Sequence, residues 1–96
     1  MTDHPSTRLR PKADVVCRQL GDAAVLIDLQ TNGIFELNRT GYRVWELLLD
    51  GLSADEIAAR VNSEFDVDAA QAASDVHALL TRLRDERLVV EELTTE

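Results

Sequence analysis

The side chains of this chain that could do acid–base, nucleophilic or metal chemistry are two histidines, one cysteine and 18 carboxylates among 96 residues. Their spacing argues against all three kinds of chemistry. His4 and His77 stand far apart, and no His-x-x-x-His, Cys-x-x-Cys or Glu-x-x-His pattern brings either one a second ligand, so no metal site is expected. The glycines, Gly21, Gly33, Gly41 and Gly51, each fit a turn, a helix end or a close packing contact, and none forms a phosphate-binding loop. Asp55-Glu56 and Glu91-Glu92 read as solvated faces rather than acid/base pairs. Cys17 reads as a buried, inert thiol in a strand. A lone cysteine leaves no internal disulfide and fits a reducing compartment. An acyl-carrier role fails on its defining residue, because neither Ser53 nor Ser74 sits in the Asp-Ser-Leu context that a phosphopantetheine arm needs. The chain is expected to be no enzyme and to hold no cofactor.

Binding is what remains, and charge narrows it. The net charge is −8 and unevenly placed: residues 1–45 hold six basic and five acidic side chains, residues 46–96 four and thirteen. A field of that sign repels phosphate backbones, so nucleic acid is not expected as a partner. No apolar run approaches the roughly 20 residues that span a bilayer, and the N-terminus lacks an apolar signal core, so a cytoplasmic protein without a membrane partner is expected.

The elements that must build a binding surface are organised around residues 33–51. Ile34-Phe35-Glu36-Leu37 has strand-forming character, Asn38 is a good helix N-cap, and Leu37 with Tyr42 fits a hydrophobic staple across that cap. Val44, Trp45, Leu48 and Leu49 follow at helical spacing, and Gly51 supplies a left-handed stop. Upstream, Val15–Leu20 and Ala23–Leu29 predict two more strands around Gly21-Asp22, the signature of a type II′ hairpin. Val25, Ile27 and Leu29 share one face of the second, with Asp28 on the other. Thr31-Asn32-Gly33 supplies the next turn. Downstream, Ser53 and Glu56 form a capping box for a helix carrying Ile57, Val61 and Phe65, and Asp68 with Gln71 repeats the cap for a longer helix carrying Ala72, Ala73, Val76, Leu79, Leu80 and Leu83. Leu88-Val89-Val90 reads as a short final strand or a packed tail. The expected fold is α+β and winged-helix-like: a three-stranded antiparallel β-meander followed by three helices, one layer on the other. Residues 1–14 read as a flexible lead-in, 15–92 as one domain and 93–96 as a tail.

A meander has open edges, and an open edge can accept another strand. The third strand is an edge that the third helix can wall, giving a groove in which an extended peptide gains main-chain hydrogen bonds while pockets read alternate side chains. A peptide ordering on binding loses ~2–5 kcal/mol, so filled side-chain pockets are needed as well. For any one of Phe35, Leu37, Val76, Leu79, Leu80 and Leu83, plain core is the simpler reading; the groove rests on the set. The rival class is an acidic winged-helix regulator or a structural interaction module. Against DNA binding, the start of the third helix is Asp68-Ala69-Ala70-Gln71, followed by Asp75, where a recognition helix presents basic or amide groups.

The ordered motifs Leu37–Gly51 (L-N-R-T-G-Y-R-V-W-E-L-L-L-D-G), Ser53–Val61 (S-A-D-E-I-A-A-R-V), Asp75–Leu83 (D-V-H-A-L-L-T-R-L) and Leu88–Val90 (L-V-V) resemble PqqD-type proteins over about Val15 to Val90. The resemblance implies a RiPP recognition element: a bacterial, non-catalytic domain that binds the leader of a ribosomally made precursor peptide and delivers it to a modifying enzyme. It implies a leader strand beside the third strand and against the third helix. By position this points to Ile34, Phe35, Glu36, Leu37 and Asn38, and to Val76, Leu79, Leu80 and Leu83, with Asp75 and Arg82 as polar contacts at the rim. The partner enzyme would be a radical S-adenosylmethionine enzyme in the pyrroloquinoline quinone subgroup, or a leader peptidase in the stand-alone lasso-peptide subgroup. Leu37-Asn38-x-Thr40-Gly41 before Val44-Trp45 is closer to the lasso-type pattern.

Overall fold

The computed structural model describes residues 6–94, and side chains within residues 9–91. The order is β1 (Ser6–Pro11), β2 (Val15–Leu20), β3 (Ala23–Asp28), β4 (Gly33–Leu37), α1 (Arg39–Leu49), α2 (Ala54–Glu64), α3 (Ala69–Asp85) and β5 (Val89–Thr94). The α+β meander β2-β3-β4 is antiparallel throughout and is followed by the three helices. One correction concerns the chain's start: Ser6–Pro11, inside the segment read as a flexible lead-in, is a strand. It pairs antiparallel with β5, in register from Ser6 opposite Thr94 to Pro11 opposite Val89, and β5 runs on past Val90 into the segment read as a tail. Nothing local marks β1, because its pairing partner lies at the other end of the chain. Residues 1–5, with His4, and residues 95–96 lie outside the described part.

The turns follow from their residues. Gly21 takes φ +66° while Asp22 does not enter the left-handed region, as a type II′ hairpin requires. At the β3–β4 turn Asn32 takes φ +62° and Gly33 begins β4. Asp28 holds this turn: its Oδ1 accepts from the Gln30 amide at 2.9 Å and its Oδ2 from Lys12 Nζ at 3.1 Å. Asp28 lies on the buried face with Ala24 and Leu26, while Val25 and Ile27 are only half-buried on the other. The face that carries the aspartate is therefore the core face, because these bonds satisfy the carboxylate.

Each helix begins at the expected cap. Asn38 accepts from the Gly41 amide, Ser53 and Glu56 form the full reciprocal box, and Asp68 accepts from the Gln71 amide. The Gln71 side chain turns away from the cap and donates to Asp75 at 2.7 Å. Gly41 must be small, since a Cβ there would stand 3.2 Å from Asn38 Oδ1 and 3.3 Å from Leu37 Cδ2. The α1 end is a Schellman motif, with Gly51 at φ +88° and the Leu52 amide donating to the Leu47 carbonyl. One core joins the elements: Leu26, Leu37, Trp45, Leu47, Ile57, Val61, Val76, Leu83, Leu88 and Val89 among others. Arg43 fastens α1 to the end of α2 through Glu64, at 2.7 Å and 3.0 Å, and to Glu46 at 3.2 Å. The paired guanidinium lowers the Glu64 carboxyl below its ordinary range.

Candidate functional site

In the meander β4 pairs with β3 only, so its other side is open among the described residues. Alternate residues of such a strand direct both main-chain groups outward. α3 packs on α2 and touches β4 only sparsely, and the space left between them is a groove of about 550 Å³. Leu37, Val44, Val61 and Val76 form its apolar floor; Glu36, Asn38, Asp75 and Arg82 are among its polar wall residues. A second depression, of about 560 Å³, lies along Ile34, Phe35, Arg82 and Glu86 and shares Glu36 and Arg82 with the first. Together they follow β4 from Ile34 to Leu37.

The local sequence explains the geometry. Strand alternation buries Phe35 and Leu37 and turns Ile34 and Glu36 outward, Ile34 with 69% of its surface exposed. Arg82 projects from α3 over the Phe35 ring, 4.9 Å from its centroid, so a cation–π contact holds the guanidinium at the junction of the two depressions. At the other end Arg39 lies 5.2 Å from the Phe65 centroid. Asn38 is already engaged, its side-chain oxygen accepting from Gly41 at 2.8 Å.

The structure sorts the sequence-predicted residues into three sets. Glu36, Leu37, Asn38, Asp75, Val76, Leu79 and Arg82 come together on the groove, and Ile34 and Phe35 adjoin it. Leu80 and Leu83, 5% and 0% exposed, line neither depression and belong to the core. Both sit in the buried cluster that also holds Leu26, Ile57 and Leu88. Sequence reading did not assign Thr40, Gly41, Val44, Val61, Phe65, Val67 and Ala78 to the site, and they also line the groove. Phe65 and Val67 sit in the connector between α2 and α3, where a tight turn places the Val67 amide on the Phe65 carbonyl and Asn62 donates to the Val67 carbonyl at 2.8 Å. The available signal was two apolar residues in a connector otherwise composed of aspartates.

Chemically, the arrangement offers main-chain donors and acceptors, apolar pockets and a few charges. Among the described residues no group of three His, Cys, Asp or Glu could hold a metal, and no helix is long and apolar enough to cross a membrane. Cys17 is partly buried, and burial with the nearby Glu46 raises its thiol pKa, the opposite of an activated nucleophile.

The family model for coenzyme PQQ synthesis protein D (PqqD) matches residues 23–89. Two solved structures are similar over nearly the whole described chain. TbiB1 in complex with the TbiA(beta) leader peptide is 31% identical, covering 83% of this chain and 93% of that one, with a TM-score of 0.77. A lasso peptide synthetase B1 complexed with the leader peptide is 28% identical, covering 86% and 98%, with a TM-score of 0.79. No curated protein sequence matches.

Proposed function

The chain belongs to the PqqD family, and from that premise we propose that it is a non-catalytic adaptor for the leader segment of a ribosomally synthesised precursor peptide. The leader adds as a strand to the open side of β4, takes main-chain hydrogen bonds from residues 34–38, and sets apolar side chains against Leu37, Phe65, Val67, Val76 and Leu79. One observation carries this reading: the open edge strand faces α3 across an apolar-floored groove. Support comes from two similar structures, both of which hold a leader peptide. The loaded adaptor presents the leader to a processing enzyme. A lasso-type pathway with a leader peptidase is favoured over a radical S-adenosylmethionine partner by both similar structures and by Thr40-Gly41 before Val44-Trp45.

The test is an NMR titration of the labelled chain with synthetic leader segments of precursor peptides encoded beside its gene. Amide shifts concentrated in residues 34–38 and 75–82 are expected. Binding that leaves those amides unmoved, or no binding by any encoded leader, would overturn the proposal.

A further inference from the structure

Strand alternation gives the β4 edge a second readout, on the exposed face of the sheet, where Ile34 and Glu36 border the depressions at the strand's open edge. The strand register places Val16, Ile27 and Ile34 in one cross-strand row, and Arg18, Val25 and Glu36 in the next. Both rows lie on the outer face, because Leu26, Phe35 and Leu37 occupy the buried one. Each row ends at β4 with an exposed side chain, apolar Ile34 in one and anionic Glu36 in the other. The basic member of the Glu36 row, Arg18, is two strands away, about 10 Å at ordinary strand spacing. No lysine, arginine or histidine stands within ion-pair distance of Glu36 among the described residues. A carboxylate is thus held at the open edge with its cross-strand position empty on the side where a new strand would add.

Resting on the strand-addition reading, we infer that Glu36 sets the register of the bound peptide by selecting a lysine or arginine directly opposite it, with an apolar residue two positions away opposite Ile34. Directly opposed residues on one face have Cβ atoms about 4.5–5.5 Å apart; opposite charges there stabilise and like charges destabilise. A one-residue slip would turn the basic side chain from the outer face into the apolar groove. A slip of two would set it against Ile34 and leave Glu36 facing an apolar side chain. The surroundings favour the same sign of partner: besides Glu36, the two depressions carry Asp75 and Glu86 against the single base Arg82, in a chain of net charge −8. That background field attracts basic peptides in general. Only the cross-strand contact ties the base to one position.

The experiment selects peptides from a random display library on the full chain and on its Glu36→Lys and Glu36→Gln variants, then maps enriched peptides by NMR. On the wild-type chain the expected pool has Lys or Arg at one position and an apolar residue two away, and replacing that base by Glu weakens binding by about tenfold. The Glu36→Lys pool should exchange the base for Asp or Glu at the same position, and the Glu36→Gln pool should lose the charge preference there. Basic residues spread evenly along the peptides, or one unchanged profile from all three proteins, would overturn the inference while leaving strand addition intact. Enriched peptides that move amides away from residues 33–38, or no enrichment at all, would sink strand addition and this inference together.

Discussion

The helix α3 carries two apolar faces that look alike in sequence and differ in what covers them. Val76, Leu80 and Leu83, at i, i+4 and i+7, are 1%, 5% and 0% exposed and close the core. Leu79 lies one step round the helix, half-buried, between Asp75 and Arg82 on the groove. Val76 serves both, as core residue and groove floor. A stripe this broad exceeds what the core encloses, and the surplus, Leu79, lines the groove. Burial on the first face sustains the fold; on the second, the proposed leader strand would complete it.

Truncation on each face should separate the two roles, and the largest effect belongs to the core. Leu83→Ala removes a fully buried side chain and should cost about 3 kcal/mol of unfolding free energy, read by denaturant melts, with leader affinity per folded molecule nearly unchanged. Leu79→Ala should do the reverse. It leaves stability within about 1 kcal/mol and weakens leader binding by about tenfold, the effect of losing an apolar anchor from a pocket. Equal damage to stability and binding from both changes would mean that the two faces are one core.

The meander repeats the contrast. Its inner face buries Asp28, and its outer face leaves Ile34 and Glu36 exposed. The Gln30 amide, and then the Lys12 ammonium, lower the Asp28 carboxyl below its ordinary range despite burial. A depressed folded-state pKa contributes stability that is complete above the unfolded value of about 3.9 and is lost as pH falls through the folded value. The melting temperature should therefore fall steeply in that acidic window. Asp28→Asn should be less stable at neutral pH and show a shallower acid limb. An unchanged limb would place the acid sensitivity elsewhere, with Glu64 the next carboxylate to test, since Arg43 lowers it in the same direction.

Much of this architecture was legible because its signals are local. Asn38, Ser53 and Asp68 mark three helix starts, Gly21 and Gly51 two chain reversals, and the alternation in Ile34–Leu37 an edge strand with a buried face. The illegible parts depend on distant partners. β1 contains one plain apolar residue, Leu9, and exists through pairing with β5. The buried face of β3 was hidden because Asp28 looks like a solvent residue until Lys12 and Gln30 are placed beside it. The groove was visible as a set of residues, yet its division from the core was not. Leu79 and Leu80 are adjacent in sequence and equally apolar, and only the packed core decides which one is enclosed.

The smallest expected effect lies at the end of α3, on neither face. α1 and α3 finish in the same Schellman geometry: Leu88 donates to the Leu83 carbonyl as Leu52 does to Leu47. The left-handed position is Gly51 at φ +88° in the first and Arg87 at φ +59° in the second. A side chain there costs roughly 1–2 kcal/mol, partly offset because glycine gains unfolded-state entropy. Arg87→Gly should therefore stabilise the chain by about 0.5 kcal/mol, and β-branched Arg87→Val should destabilise it by about 1 kcal/mol. The pair isolates the backbone from the charge. Both changes remove the same guanidinium from the helix C-terminus, so a purely electrostatic role would lower both variants equally beneath the wild-type chain. The order Gly above Arg above Val in thermal melts, with leader affinity constant across all three, is the outcome that the left-handed conformation requires.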